Sequence, residues 1–380
     1  MTICDKVTEG ANGDMGFESG SMSFRAFYMP RGLPPDVVER FAKAALPPIE
    51  RTGSGDLHGW VGSRHLLDRV ITEDNAMVCG YLRLNLVKVE RKVPEALLRA
   101  ECKMEELAAL QASDKGFLNR AERSKIRKEV IDRLLPRMPP TLTGIPVVYD
   151  GNSRMLYAGT TSDKRTDAFI INFNSVTGVA PVPIDTVTAG RKRNKLDVAT
   201  LGSVSFSPDL ADDLAGSSLG QDFLTWMWFY SEAKGGLLTI EGDDYGIMIE
   251  GPLMFYMEGR GAHVALLRDG SPLQSAEAKT ALLSGKKLCR AKVTISHKEE
   301  TWSSVFDANA FVFRGFKPPK SQEKLDPYSA FQQRMIALDK FMGVFLSFYD
   351  RFLVDRYEPA SWKAVQKDVH KWVTDRTVSK

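Results

Sequence analysis

The segment from residue 286 to residue 298, Lys-Lys-Leu-Cys-Arg-Ala-Lys-Val-Thr-Ile-Ser-His-Lys, restricts the fold of this chain more than any other. Cys289, Ala291, Val293 and Ile295 alternate with Arg290, Lys292, Thr294, Ser296 and Lys298, and Lys286 shares the register of the second set. Successive side chains of a β-strand point to opposite faces, so one face of this strand is apolar and the other cationic. The apolar face must be covered, which calls for a sheet with a packed layer on one side. No acidic residue interrupts the segment, and Lys279 lies just upstream, so no pairing within it neutralises the charge. At a rise of ~3.3 Å per residue, same-face cations stand ~6.6 Å apart, close to the separation of phosphates along one DNA strand. A solvated sheet face, or an edge strand guarded by lysines, fits the same pattern.

Elsewhere the sequence reads as α+β. Residues 1–21, rich in Gly, Ser and acidic residues, have too little apolar surface to offset the entropy of ordering and are expected to be a mobile tail. A first α+β unit is expected over 22–208. It opens with a strand at Phe24–Met29 and a helix from Asp36 to about Leu46, and continues with a strand in Met77–Val89, where Leu82, Leu84 and Leu86 alternate with Arg83 and Asn85. Pro94 starts a helical hairpin over 94–135 that breaks at Gly116. Short strands near Pro146–Tyr149 and Met155–Gly159, a helix near Thr166–Asn174 and a strand near Val179–Ile184 follow. The small, acidic, Gly- and Ser-rich run from Asp209 to Gly220 suits a boundary before a second unit over 221–320. That unit has an aromatic helix at Phe223–Ser231, strands near Tyr245–Glu258, Ala262–Arg268 and Asn309–Phe316, and a helix at Ala276–Leu283 ending at Gly285 before the basic strand. C-terminal helices at Pro327–Tyr357 and Ser361–Thr374 occupy 325–376.

The chain has 380 residues, 43% hydrophobic and 26% charged, with a formal net charge of +3, enough for more than one core and too mild a charge to identify a nucleic-acid binder by itself. The four cysteines, Cys4, Cys79, Cys102 and Cys289, have no CxxC spacing and no histidine placed to complete a zinc site, which points to a reducing compartment. No apolar run is long enough to span a membrane and no secretory leader is evident, so a cytoplasmic location is expected.

Four further groups are candidates for chemistry. The second hairpin helix carries Arg120, Arg123, Lys125, Arg127, Lys128 and Arg133 against Glu122, Glu129 and Asp132; at 100° per residue these cations spread around the helix, as on a solvated one. Arg191, Lys192 and Arg193 form a basic cluster in the loop 190–195, expected to be mobile and able to touch phosphates or simply be exposed. Glu241, Asp243, Asp244 and Glu250 are a possible magnesium set for phosphodiester chemistry, although Gly242 and Gly246 make them read as a polar turn. Trp226, Trp228, Phe229 and Tyr230 suit either base stacking or a core, and Phe341, Phe345, Phe348, Tyr349 and Phe352 form a helical apolar face for a dimer partner or the chain's own sheet.

The order of these features resembles the RdgC family across roughly residues 22–318. It runs from Gly59-Trp60-Val61 through the Pro-led charged hairpin ending in Leu134-Leu135-Pro136-Arg137, then Ala180-Pro181-Val182-Pro183, Leu224-Thr225-Trp226, and Glu277 with Gly285-Lys286 before the basic strand. The resemblance implies a sequence-independent DNA-binding homodimer, closed as a ring around duplex DNA, nucleoid-associated, and restraining the RecA recombinase by occupying its substrate. Two positions depart from the family: Pro139 stands where members carry an aromatic residue at a subunit contact, and Gly270-Ser271 where they carry Lys-Gln at the opposite one. Both departures bear on ring closure.

The expected protein is therefore α+β, with mixed sheets, a charged hairpin and a C-terminal helical segment, forming a ring-shaped dimer. Lys286, Arg290, Lys292, Lys298, Lys128, Arg137, Arg191, Lys192 and Arg193 are its expected phosphate contacts. No catalytic residue, metal or cofactor is called for. A metal-dependent nuclease using the 241–250 carboxylates and a protein-binding scaffold engaged through the C-terminal helices are the alternatives.

Overall fold

The computed structural model describes residues 16–49, 56–113, 116–202, 204–210, 212, 218–257, 264–268, 276–320 and 325–375. The first half of the chain runs β1 (Met22–Tyr28), α1 (Val37–Lys43), β2 (Leu57–Val61), α2 (Glu73–Ala76), β3 (Met77–Val78), β4 (Tyr81–Arg91), α3 (Glu95–Ser113), α4 (Arg120–Leu134), β5 (Pro140–Asp150), β6 (Met155–Ala158), α5 (Asp163–Thr177), β7 (Val182–Pro183) and α6 (Thr186–Ala189). The second half runs α7 (Leu219–Ala233), β8 (Leu237–Ile240), β9 (Asp243–Tyr256), β10 (Val264–Leu267), α8 (Ala276–Leu283), β11 (Lys287–His297), β12 (Glu300–Asp307), β13 (Val312–Lys317), α9 (Pro327–Tyr357) and α10 (Pro359–Thr374).

One sheet joins the two halves, in the order β10-β9-β11-β12-β13-β1-β6-β5-β4-β2, with β1 paired to β13 on one side and β6 on the other. Each of its ladders is antiparallel, which corrects the expectation of mixed sheets. The reason is connectivity: β8–β9, β11–β12 and β5–β6 are joined by turns too short for the crossover that parallel strands need. At the β8–β9 turn, Glu241 and Gly242 both have positive φ, 53° and 91°, as a two-residue hairpin turn requires.

Side-chain alternation sends the sheet's residues into two cores. Phe24, Ala26 and Tyr28 of β1 and Ala291, Val293 and Ile295 of β11 pack with α7, α9 and α10, while Phe27, Leu82, Leu84, Leu86, Leu156 and Ala158 pack with α1 and α5 on the opposite face. The helices α1 and α5 reach only the β1-to-β4 half. The corresponding face of β9 and β10 stays open, leaving Met248 51%, Val264 55% and Leu266 39% exposed.

Trp226, Trp228 and Phe229 are buried in the first core, and Tyr230 is stacked on Trp226 at 4.7 Å between ring centroids, so the aromatic helix is core. Phe341, Phe345, Phe348, Tyr349 and Phe352 of α9 are likewise buried, against the chain's own sheet and α7. The expected mobile tail needs correction at its end. Phe17 is buried in the core and its carbonyl accepts from Arg334 Nε at 3.2 Å, so burial of one aromatic ring and a half-buried guanidinium order residues that look polar as a run; residues 1–15 lie outside the described ones. Gly220, placed by the sequence in a boundary loop, begins α7 instead, where an added Cβ would meet the Ala308 carbonyl at 2.2 Å.

Asp339 fastens α9 to the β4–β6 half. Its carboxylate accepts from Tyr157 at 2.5 Å and Tyr81 at 3.4 Å, and burial, reinforced by the charge of Asp150 on β5, pushes it up to about 6. The folded state then holds a proton between about pH 4 and 6 that the unfolded chain releases. Stability from this group is fully present below pH 4 and is lost as pH rises to 6, by on the order of 3 kcal/mol. Asp339→Asn is expected to match the parent protein near pH 4 and to be more stable above pH 6 in urea unfolding; a stability difference independent of pH would show that the carboxylate is ionised throughout.

Candidate nucleic-acid interface

The hairpin that links β4 to β5 is an independent packing unit. Asn119 caps α4 by accepting from the Glu122 N–H at 2.9 Å while Glu122 accepts from the Asn119 N–H at 2.8 Å, a reciprocal box that fixes where the second helix starts. Leu98, Val130 and Leu134 form a small core of their own, with Cys102, Ile126 and Ile131 around it. Arg133 is clamped by Glu101 at 2.9 Å and Glu105 at 2.7 Å of α3, and Arg127 reaches Glu95 at 3.4 Å. These two cations hold the helices together. Arg120, Arg123, Lys128 and Arg137 are exposed and enter no ion pair among the described residues. Lys128 and Arg137, both expected from the sequence as phosphate contacts, thus stand free on one rigid hairpin.

The basic strand behaves differently. Its apolar face is buried as the alternation requires, but the cationic face is compensated from the neighbouring strands. Lys292 Nζ lies 2.9 Å from Glu250 of β9, Arg290 binds Asp307 of β12, and Lys298 lies 3.5 Å from Asp243. Burial alone would raise the Glu250 carboxyl, yet hydrogen bonds from Thr294 and Lys292 outweigh it and hold the group below the usual carboxylate range. The expectation of an uncompensated strand therefore fails, because antiparallel pairing places Asp307 opposite Arg290 and Glu250 opposite Lys292, partners that the strand's own sequence does not contain. Lys286, just before β11, is half-buried and unpaired. Its neighbour Lys287 is fully buried with its ammonium 2.5 Å from Asp222 of α7, since a bulge between Leu288 and Arg290 breaks the simple alternation at this end.

The loop at 190–195 is not free either. It forms a π-turn, Gly190–Asn194, in which Arg193 Nη2 binds Asp350 of α9 at 2.6 Å and Asn194 donates to the same carboxylate at 2.7 Å. Lys192 sits 3.8 Å over the Tyr28 ring, where burial and the nearby Arg154 lower its basicity. Arg191 is exposed and unpaired. The acid on α9 that anchors this loop lies more than 150 residues away, beyond the reach of a local reading.

The carboxylates of 241–250 do not converge. Glu241 is in the turn, Asp244 accepts from Thr239 Oγ1 at 2.6 Å, Asp243 faces His297 and Lys298, and Glu250 is held by Thr294 and Lys292. Among the described residues no three His, Cys, Asp or Glu side chains are grouped to hold a metal ion. No described helix is long and apolar enough to cross a membrane. Gly270 and Ser271 lie outside the described residues.

No curated protein matches this chain. A family model described as "Putative exonuclease, RdgC" matches residues 34–193, the stretch that contains α1, the hairpin, β5, β6 and the loop to Arg193. Over these residues the chain is similar to the RdgC family.

Proposed function

We propose that this protein binds DNA through its phosphates, without sequence preference, and modulates homologous recombination by coating or encircling DNA and limiting access of the RecA recombinase. The observation that carries this reading is the set of exposed, unpaired cations on the hairpin, Arg120, Arg123, Lys128 and Arg137, inside the segment matched to the RdgC family. Free cations release condensed counterions when they meet phosphates; cations already paired to carboxylates gain less. The reading therefore ranks Lys128, Arg137, Lys286 and Arg191 above Arg290, Lys292, Lys298, Lys192 and Arg193. It involves no cofactor, a cytoplasmic, nucleoid-associated location and a homodimer. An apolar row on α3 supports self-association, with Leu97 37%, Met104 59% and Leu107 49% exposed at helical spacing.

The test is binding to a short random duplex by fluorescence anisotropy across a salt series. The parent protein should show a log–log salt slope of several units, and Lys128→Gln with Arg137→Gln should reduce it by about 1.8, at ~0.9 per phosphate contact. An unchanged slope would remove these two residues from the interface, and no binding at low salt would remove the function. Adding magnesium to the same mixture tests cleavage, and sedimentation of the protein reads its assembly state.

A further inference from the structure

The C-terminal helix α10 carries a row of cations outside the hairpin. Trp362, Val369 and Val373 are buried on one side of it, and Lys363, Lys367 and Lys371 recur at intervals of four on the opposite side, all exposed and none in an ion pair. At 1.5 Å per residue, successive ammonium groups are set ~6 Å apart along the helix, on one ridge pointing away from the body. The helix has one acidic residue, Asp368, off that ridge and engaged by Lys234 at 2.6 Å.

This ridge is held rigidly. The Trp372 ring packs edge-on against Trp228 at 4.9 Å and its Nε1 donates to Glu232 at 2.8 Å; Trp362 packs on Phe206 at 6.0 Å. Lys279 of α8 donates to the Trp372 carbonyl at 3.0 Å with its ammonium 3.5 Å from the Trp372 ring, and burial brings its pKa down to about 8. Cations on a fixed element lose little freedom when they meet a polyanion. Because the apolar side of α10 is already covered by the chain, the helix has no face left to insert into lipid, which favours a nucleic-acid backbone over a membrane surface.

We infer that Lys363, Lys367 and Lys371 form a second DNA-backbone contact surface, on the helical layer of the second half of the chain and separate from the hairpin. The inference rests on the DNA-binding reading above and extends it to a part of the chain beyond the family match. A protein with two separated phosphate-binding surfaces can hold two DNA segments at once.

The experiment replaces all three lysines, as Lys363→Gln, Lys367→Gln and Lys371→Gln, in the full chain and repeats the salt series. The expected result is a slope smaller by ~2 to 3 units with an unchanged melting temperature, since the three side chains are exposed and enter no ion pair among the described residues. A control carrying Lys43→Gln and Lys164→Gln on α1 and α5 should keep the parent slope. An unaltered slope in the α10 variant, or an equal change per lysine in the control, overturns the inference while leaving the DNA-binding reading in place. Failure of the parent protein to bind DNA overturns both.

Discussion

Replacing Lys287 by Met is expected to destabilise the protein by about 3–5 kcal/mol, measured by urea unfolding, because it takes the nearest cation from a carboxylate buried in the core. Lys287 and Asp222 are 2% and 1% exposed, with Nζ 2.5 Å from Oδ1, and the Lys287 ammonium also lies 5.8 Å from the Phe206 ring. A buried pair contributes little net stability, since desolvation of both ions cancels most of their attraction, but removing one ion takes away the nearest charge that offsets the desolvation of the other. The double variant Lys287→Met with Asp222→Leu should therefore recover most of the loss. If the double variant is as unstable as the single, the loss comes from packing at the start of β11 and not from the lost ion pair.

Phe345→Ala is expected to cost a comparable amount, about 3–5 kcal/mol, through the cavity it leaves. The Phe345 ring is fully buried and meets Phe306 at 4.8 Å, Phe313 at 4.9 Å and Phe223 at 5.5 Å, so it joins α9 to β12, β13 and α7 at one point. A substitution on a loosely attached appendage would change global unfolding by less than about 1 kcal/mol. That smaller value would mean that α9 unfolds independently of the sheet.

The family-matched segment does not stand apart from the remainder. β1 pairs with strands from both halves, and the first core draws residues from β1, β5 and β6 as well as from α7, α9 and α10. The hairpin is the exception. Its separate small core and its clamped Arg133 let α3 and α4 present cations without disturbing the sheet.

Much of this was legible in the chain itself. Proline and glycine punctuation with helical periodicity located the hairpin and both C-terminal helices, because Pro94, Gly116 and Pro327 act on the backbone through local sterics. Period-two alternation located β4 and β11 and the buried side of each, for the same local reason. The strand β12 was missed although Trp302, Ser304 and Phe306 lie on one of its sides and Ser303 and Val305 on the other, a signal diluted by serines on both.

What the chain alone did not decide was which cations are free. Along the sequence Lys128 has Glu129 and Asp132 beside it while Arg290 and Lys292 have no acidic neighbour, yet Asp307 and Glu250 pair with the latter two and Lys128 enters no ion pair among the described residues. Nor could local patterning show that Asp350 holds Arg193, or that three lysines of α10 share an outward ridge because their helix buries Trp362, Val369 and Val373. Backbone preference is set by neighbours in the chain, so elements can be read from it; charge compensation is set by neighbours in space, which only the strand order and the helix packing bring together.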